Sequence, residues 1–531
     1  MLNTARATHA IAVAPHHLAS QSALAVMRDG GNAIEAMVAA AATIAVVYPH
    51  MNGIGGDSFW VILPPGGEPI AIDACGQAAL GATIEAYRSR GLSAIPIRGP
   101  LAANTVAGTI GGWQAALDVA AELGGTMPLA RLLRDAIGYA QDGVPVTLSQ
   151  QNATAAKLPE LAAQPGFTDT FLIDGALPLA GQRFVQPRMA RTLGLLVRDG
   201  LDSFYRGELA STIAADLQTV GTLLAGADLA ACHAQRKTPL HLAHSAGTVF
   251  NMTPPTQGAV SLAILGLLDR AGLAQVEADS ADHVHLVVEA TKRAFGLRDQ
   301  FITDPAYMTV DPQSLLAPER LDVLAATIHL GEAAPWGAGK GPGDTIWMGT
   351  IDESGLAVSF IQSIYHEFGS GVVLPTTGIN WQNRGASFSL DDDKLLALRP
   401  GKKPFHTLNP AAARLNDGRT MVYGTMGGDG QPQTQAAVFT RHVVFGQPLQ
   451  TAVTAPRWLL GRTWGQSTDT LKLEQRFPPS VVEALAARGH DVEVLLPFDE
   501  TMGHAGALVR HPDGMLEGAS DPRSDGGVAG Y

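Results

Sequence analysis

Thr345 stands where a flexible connector meets a predicted strand. The connector, residues 331–344, reads GEAAPWGAGKGPGD, and the strand begins TIWMGTI. A threonine hydroxyl is a weak nucleophile without a neighbouring base, but the first residue of a chain can use its own α-amino group, whose pKa of about 7.7–8.0 suits proton transfer near neutrality. The spacing therefore predicts a precursor that is cut between Asp344 and Thr345. A structural threonine at the start of a strand is the alternative.

Two further features could assist such a nucleophile. Gly427 and Gly428, in GTMGGDGQPQTQ, fall between a predicted strand and a predicted helix, where backbone N–H groups can face a developing oxyanion. Ser363 lies in the strand after Thr345 and could hydrogen-bond the nucleophile or its amine. A tight glycine turn and a buried strand serine are the structural alternatives, and neither feature alone decides between the two interpretations.

The elements that must position these residues change in type along the chain. Residues 18–47 are predicted to form two helices broken at Gly30-Gly31, and the second is apolar nearly all round, as in a buried helix. Further helices are predicted at 107–145, 188–233 and 259–300, whereas the chain after the connector contains mainly strand patterns. Helices first and strands last indicate a layered α/β architecture.

Composition excludes several classes of protein. The chain has 531 residues and a net charge of −13, with no basic stripe of the kind that binds nucleic acid. No apolar run is long enough to cross a membrane, and the N-terminus lacks the pattern of a signal peptide. Cys75 and Cys232 are the two cysteines, which favours a reducing compartment and leaves a single disulfide open. We therefore expect a cytoplasmic protein with no nucleic-acid or membrane partner.

Five ordered motifs give the chain a nearly end-to-end resemblance to the γ-glutamyltransferase family of N-terminal nucleophile hydrolases. They are HHLASQSALAVMRDGGNAIEAMVAAAATIAVVYPHMNGIGGDSFW, HVHLVVEATKRAFGLRDQFITDP, GDTIWMGTIDESGLAVSFIQSIYHEFGSGVVLPTTGINWQN, GTMGGDGQPQTQ and EGASDPRSDGGVAGY. The resemblance implies a four-layer αββα sandwich and a precursor cleaved into two intertwined subunits, 1–344 and 345–531. It implies a covalent acyl-enzyme on Thr345, an oxyanion hole at Gly427 and Gly428, and Ser363 beside the nucleophile, where the family pattern has threonine.

The residues that grip a γ-glutamyl group in the family are largely replaced here. Ile84 stands at the position of the carboxylate-binding arginine, and Ser387 at that of the amine-binding aspartate. A strand asparagine becomes Tyr365, and the paired serines become His406 and Thr407. These losses should remove several kcal/mol of γ-glutamyl recognition, at roughly 1.5–3 kcal/mol for each hydrogen bond to a charged group.

A new cation, Arg384, stands where the family pattern has glutamine. With His406 it could bind a carboxylate close to the scissile carbonyl, although a surface arginine is the structural alternative. The loop between Ser389 and Lys403 is also shorter than the family's substrate-covering lid, which suggests a more open site or one that needs less cover. A small acid amide would suit such a site, and the pattern is similar to the oxamate amidohydrolase branch of the family, which splits oxamate into oxalate and ammonia in purine-nitrogen salvage.

The leading hypothesis is therefore a self-processing amidohydrolase that acts on a small-molecule amide without a cofactor. A γ-glutamyl hydrolase or transpeptidase, an acylase of bulkier amides and a catalytically dead binding protein are the alternatives. His283, His285 and Glu289 form an H-x-H-x3-E pattern, but His283 does not share the helix face of the other two, so no metal is predicted. The partners expected are the two cleavage fragments, and a homodimer of such heterodimers is left open.

Overall fold

The computed structural model describes residues 3–337, 344–462 and 468–531, and in them two seven-stranded sheets pack face to face. The strands of the described chain are β1 (Ala5–Ala7), β2 (Ile11–Ala14), β3 (Asp57–Leu63), β4 (Ile70–Ala74), β5 (Val144–Pro145), β6 (Arg183–Phe184), β7 (Gln235–Lys237), β8 (Leu240–His244), β9 (Gly247–Asn251), β10 (Asp344–Ile351), β11 (Ala357–Tyr365), β12 (Ala411–Leu415), β13 (Thr420–Gly424), β14 (Trp458–Leu460), β15 (Leu471–Glu474), β16 (Val492–Leu495), β17 (Gly506–Arg510), β18 (Leu516–Ser520) and β19 (Gly527–Gly530).

The two large sheets differ in their strand order. The sheet that contains the nucleophile candidate, here called the Thr345 sheet, has the order β19-β2-β10-β11-β3-β4-β7. The second sheet has the order β1-β18-β17-β13-β12-β9-β8. Within the described residues β14, β15 and β16 form a smaller sheet, and β5 pairs with β6.

The helices lie on the outer faces of the two sheets. They are α1 (His17–Arg28), α2 (Ala33–Val47), α3 (Ile84–Arg88), α4 (Thr109–Glu122), α5 (Leu129–Asp142), α6 (Leu148–Leu161), α7 (Phe167–Phe171), α8 (Pro187–Asp199), α9 (Glu208–Thr219), α10 (Gly226–Ala230), α11 (Gly258–Arg270), α12 (Ala281–Phe301), α13 (Pro318–Ala325), α14 (Gly430–Phe439), α15 (Leu449–Thr454) and α16 (Pro479–Ala487).

Three apolar cores separate the four layers and confirm the predicted αββα sandwich. One core joins α1, α2, α4 and α5 to the outer face of the Thr345 sheet, and another joins α11, α12 and α14 to the outer face of the second sheet. The third core lies between the sheets and includes Trp347 and Ile361 from one and Val422 and Leu508 from the other. Alternate residues of β10 point to opposite cores, because side chains along a strand alternate between faces. Thus Trp347 packs between the sheets, and Met348 packs under the helices.

The predicted pair of helices at residues 18–47 is confirmed as α1 and α2. The chain reverses through Gly30, whose φ of +94° favours glycine, and α2 then begins at a capping box in which Asn32 and Glu35 each bond the other's backbone N–H. Every residue of α2 is buried, as its all-round apolar pattern predicts.

Both large sheets take strands from each side of Thr345. In the Thr345 sheet, β2 lies between β19 and β10, so an early strand pairs on both edges with later ones. In the second sheet β1 pairs with β18, and β9 pairs with β12. Fragments 1–344 and 345–531 would therefore share both sheets, while the boundary itself stays a prediction.

Two smaller predictions concern the cysteines and membrane segments. Cys75 and Cys232 are both buried and are not joined to each other. Among the helices of the described residues, none combines the length and the apolar character that a bilayer crossing requires.

Candidate active site

Thr345 is held at an irregularity in the Thr345 sheet. Asp344 pairs with Tyr365 and Ile346 pairs with Gln362, so that two residues of β11 lie opposite one residue of β10. Such a β-bulge re-aims side chains and is frequent beside active sites. Here it sets the Thr345 Oγ1 atom 3.3 Å from Ser363 Oγ, and the Thr345 residue is fully buried. The predicted proximity of Thr345 and Ser363 is therefore present in the fold.

Ser363 is fixed by its own strand. Its Oγ accepts a hydrogen bond from the backbone N–H of Tyr365 at 2.8 Å, across the bulge. Tyr365 has a φ of +84°, a conformation that costs a non-glycine residue of order 1–3 kcal/mol and occurs mainly at functional sites. The serine hydroxyl is thus held beside Thr345 by a strained turn of backbone at the end of β11.

Gly427 and Gly428 form the turn between β13 and α14, as predicted. Their φ angles of +113° and +52° are in the region that favours glycine, and the Gly427 carbonyl accepts from Gly430 N–H at 2.7 Å. Gln431, in the first turn of α14, points its Nε2 at Thr345 Oγ1 across 3.5 Å. The start of α14, where free N–H groups and the positive end of the helix dipole lie, is therefore directed towards Thr345.

A cavity of about 560 Å³ lies beside these residues. Tyr365, Ser387 and Thr407, three of the five predicted substrate-binding residues, line it together with Asp429. Residues 389–390 and 394–396 of the loop predicted to be a short lid form another wall. The cavity therefore lies between the end of β11 and the residues that stand at the family's γ-glutamyl-binding positions.

Arg384 is buried, so the alternative of a surface arginine is wrong. It opens the short 3₁₀ turn Arg384–Ser387, is 1% exposed, and its guanidinium carbon lies 3.8 Å from the centre of the Tyr365 ring. Neither Nη1 nor Nη2 has a hydrogen-bond partner in the described part of the chain. Burial lowers the pKa of Arg384 to about 10, so the group is still a cation at neutral pH. Gly385 admits this turn, because a Cβ there would lie 1.5 Å from Asn104 Oδ1.

His406 lies in the same buried cluster as Arg384. Its Nε2 is 3.3 Å from Asp57 Oδ2, and both residues are 0% exposed. Burial and the nearby charge of Arg384 hold the pKa of His406 well below its ordinary value, so the imidazole is neutral at pH 7. Burial also raises the pKa of Asp57 to about 7, against the opposing effect of backbone N–H groups and Arg384. His406 therefore faces an acid and does not line the cavity.

Asp57 and Gln431 are the site residues that the sequence analysis missed. Asp57 begins β3 directly opposite Ser363 of β11, and Gln431 contacts Thr345 from α14. The signal for Asp57 was an acid placed between GIGG and an apolar strand, where a buried charge is unusual. The signal for Gln431 was its position three residues after the glycine pair. Ile84, by contrast, starts α3 and packs against the helical core.

The H-x-H-x3-E pattern joins a different cluster. His285, Glu289 and His490 bring ligand atoms within 4.8 Å of one another. Glu289, however, already bonds Lys292 and Arg293, and His285 bonds His490 and the backbone. These contacts satisfy the cluster as an internal polar network, and the absence of a metal stays a prediction.

Known proteins resemble the chain over its whole length. The family model described as gamma-glutamyltranspeptidase matches residues 19–531. The oxamate amidohydrolase proenzyme of Klebsiella pneumoniae subsp. pneumoniae is 65% identical over 525 residues, 99% of either chain. The glutathione hydrolase-like YwrD proenzyme of Bacillus subtilis is 39% identical over 528 residues, 98% of either chain. Among solved structures, cephalosporin acylase from Bacillus halodurans has a TM-score of 0.91 at 33% identity, covering 100% of this chain and 97% of that one.

Proposed function

Because the chain belongs to the gamma-glutamyltranspeptidase family, we propose that it is a precursor that cuts itself before Thr345 and then hydrolyses an amide with that threonine. The predictions of family, fold and amide-hydrolysing class are confirmed by the matches. The assignment of Thr345 is supported by its place in the β-bulge and by its contact with Ser363 at 3.3 Å.

The chemistry follows from the groups that surround Thr345. Cleavage of the Asp344–Thr345 bond frees an α-amine, which accepts the proton of the threonine hydroxyl as Oγ1 attacks the amide carbon. N–H groups at Gly427 and Gly428 stabilise the oxyanion. The amine passes its proton to the amide nitrogen, which departs as ammonia, and the acyl group stays on Thr345 as an ester. Water then hydrolyses that ester to release the acid.

We propose oxamate as the substrate, and the observation that carries this choice is the Arg384 guanidinium, whose Nη1 and Nη2 have no hydrogen-bond partner among the residues that the structure describes. A buried cation without a hydrogen-bonding partner is costly, and it persists where a ligand supplies the counter-charge. Oxamate carries a carboxylate directly bonded to its amide carbon, so an arginine near the nucleophile can hold one end while Thr345 attacks the other. The relative at 65% identity is named for this substrate.

A substrate panel tests this proposal. Purified, processed protein is given oxamate, γ-glutamyl-p-nitroanilide and a glutaryl amide, and release of ammonia or nitroaniline is followed. We expect oxamate to have the highest kcat/KM by at least a hundredfold. Efficient turnover of the γ-glutamyl compound, with oxamate inert, would overturn the assignment of substrate but leave the nucleophile intact.

The acylase alternative is favoured by one observation, the size of the cavity. A volume of about 560 Å³ exceeds what oxamate needs, and part of the wall is apolar, with Phe388, Leu390, Leu396 and Phe405. An amide with a bulkier acyl group would fill this space. In that case the glutaryl amide of the panel is the preferred substrate.

Self-cleavage is tested separately by denaturing electrophoresis. The 55.4 kDa chain should yield bands of roughly 36 and 20 kDa, in proportion to fragments 1–344 and 345–531. Thr345→Ala should stay as one band, and Thr345→Ser should still be cut because serine keeps the hydroxyl. A single uncut band in an active wild-type protein would show that the nucleophile is misassigned. A single uncut band in an inactive protein would support the alternative of a catalytically dead binding protein.

We further propose that the enzyme is cytoplasmic and takes part in purine-nitrogen salvage, on the basis of the resemblance and of the two unpaired cysteines. A homodimer of the two-fragment unit stays a prediction. Cell fractionation and light scattering on the processed protein are the measurements that decide these points.

A further inference from the structure

Asp57 lies in line with the nucleophile across the Thr345 sheet. It is the direct partner of Ser363 on the neighbouring strand, and Ser363 in turn contacts Thr345. Directly opposed residues of an antiparallel pair point to the same face, so Asp57 and Ser363 share a face of the sheet, and the contact of Thr345 Oγ1 with Ser363 Oγ extends this row to β10. A fully buried carboxyl group therefore lies one strand away from the strand that carries Ser363, on the side opposite Thr345.

The two oxygens of Asp57 have different surroundings. Oδ1 accepts hydrogen bonds from the backbone N–H groups of Gly76 at 3.0 Å and Gly108 at 2.9 Å. Oδ2 faces His406 Nε2 at 3.3 Å, and the Gln382 side chain lies close enough to the carboxyl to oppose the burial that raises its pKa. One oxygen therefore anchors the side chain, and the other is left to share a proton with the imidazole.

The charge of the cluster depends on that proton. With one proton between them, Asp57 and His406 have a net charge of zero, whichever of the two carries it. Without the proton, the pair has a charge of −1, which cancels the cation of Arg384. A buried carboxylate ligand is then disfavoured, because the cluster and ligand together would hold an uncompensated negative charge.

We infer that the Asp57–His406 pair is a positioning element that takes up one proton when an acidic substrate binds and so leaves the Arg384 cation free to pair with its carboxylate. The inference rests on the proposed function, in which Arg384 binds that carboxylate. The ligand class it implies is a small monoanion, which enters together with a proton.

Asp57 is the group of this cluster that titrates near neutrality, because burial raises its pKa to about 7. Burial holds the pKa of His406 well below its ordinary value, so the imidazole alone does not take the proton. The other titratable or charged groups that interact with Asp57 from neighbouring elements are Arg384, Cys75, Tyr205 and Cys232. Asp73 and Lys403 act on His406, and they form an ion pair with each other at 2.8 Å, so their charges offset one another. Burial raises the pKa of both thiols and of the phenol, so these three are neutral over the same range.

The test compares the pH dependence of KM for oxamate with that for oxamide, the neutral diamide, used as a substrate or as a competitive inhibitor. For wild-type protein we expect KM for oxamate to rise by on the order of 50-fold from pH 7 to pH 9, as the pair loses its proton. The KM or the inhibition constant of oxamide should change by no more than about threefold between pH 7 and pH 9. The Thr345 amine titrates in the presence of either compound, so it cannot produce this difference between them.

Asp57→Asn is the decisive variant, because asparagine keeps the oxygen for Gly76 and Gly108 and is neutral at every pH. Its KM for oxamate should be the same at pH 7 and pH 9 within about twofold. Asp216→Asn is the matched control. Asp216 is also buried and also accepts from two backbone N–H groups, those of Thr376 and Thr377. This control should keep the wild-type rise in KM.

The outcomes separate the inference from the proposed function. A wild-type KM for oxamate that is flat between pH 7 and pH 9, or a rise that persists in Asp57→Asn, overturns the inference; the wild-type result decides even if the variant does not fold. If oxamate is turned over and is preferred to oxamide at pH 6, the proposed function stands despite that failure. If the two compounds are handled alike at every pH, the proposed role of Arg384 fails as well.

Discussion

Replacement of Arg384 by methionine should make the protein more stable and a much poorer enzyme. Methionine keeps an unbranched stem over the Tyr365 ring but removes two buried nitrogens that have no hydrogen-bond partner in the described residues. Each unsatisfied buried group costs about 1–3 kcal/mol, and the lost cation–π contact offsets roughly 2 kcal/mol of the gain. The difference is an increase of about 0–4 kcal/mol in the free energy of unfolding, and we expect a value of about 2 kcal/mol.

The same change should remove two charge-assisted hydrogen bonds to the substrate carboxylate. At about 1.5–3 kcal/mol each, their loss lowers kcat/KM for oxamate by roughly 10²–10⁴-fold. Calorimetry measures the stability: with an unfolding entropy of about 2.1 cal/mol/K per residue, a gain of about 2 kcal/mol raises the Tm by roughly 2 °C. Initial rates with oxamate measure the activity.

Arg457→Met is the control for this prediction. Arg457 is as buried as Arg384, and burial lowers its pKa to about 10 as well, but it bonds the carbonyls of Met502 and Gly503 and the carboxylate of Asp521. The Arg457→Met change should lower the free energy of unfolding by about 3–5 kcal/mol and therefore lower the Tm. If Arg384→Met lowers the Tm as Arg457→Met does and leaves kcat/KM for oxamate within threefold of wild type, Arg384 is a structural cation and the reasoning is refuted.

Three further predictions concern single residues. Ser363→Ala should lower kcat about tenfold, because one hydrogen bond of about 1–1.5 kcal/mol to Thr345 is lost. Ser363→Thr should keep most of the activity, and an unchanged kcat in Ser363→Ala would remove Ser363 from the mechanism. Gly427→Ala should slow self-cleavage at least tenfold, because alanine disfavours a φ of +113° and shifts the neighbouring N–H groups, whereas rapid appearance of both bands would show that this turn is not an oxyanion site. Glu500→Gln should stabilise the protein increasingly above pH 4.5. Burial raises the pKa of Glu500 from 4.5 to about 7, so wild type loses stability as pH rises from about 4.5 to 7, where the unfolded state gives up a proton that the folded state keeps. The glutamine variant, which can still accept from Ser149, should match wild type near pH 4 and have a free energy of unfolding roughly 2–3 kcal/mol higher at pH 8.5, and the opposite sign would count against this account.

Most of the fold follows from periodic patterns in the chain. The all-apolar α2, the hairpin of β10 and β11 and the strand–turn–helix around Gly427 could each be predicted because the signal is local. The strand order could not be predicted in this way. That β2 is inserted between β10 and β19 depends on contacts between residues hundreds of positions apart, and no local pattern records such a pairing.

In the candidate site, too, the residues with a local sequence signal could be predicted, and those placed by distant contacts could not. Thr345, Ser363 and the glycine pair were found because a connector, a strand start and a glycine turn are visible in the sequence and match a family. Asp57 was missed because its importance comes from the strand register that sets it opposite Ser363 and from a loop that brings His406 to it. The environment of Arg384 likewise depends on a Tyr365 ring positioned by a strained backbone.

Because early and late strands share both sheets, the proposed self-cleavage can occur only in a chain that has already folded. A chain that has not yet assembled these sheets has neither the bulge at Thr345 nor the glycine turn beside it, so an unfinished or misfolded copy lacks the means to cut itself. Once a finished copy is cut, its halves can part only by dismantling both sheets. Full unfolding then becomes a loss that is hard to reverse, because two separate polypeptides must find each other again before either sheet can form.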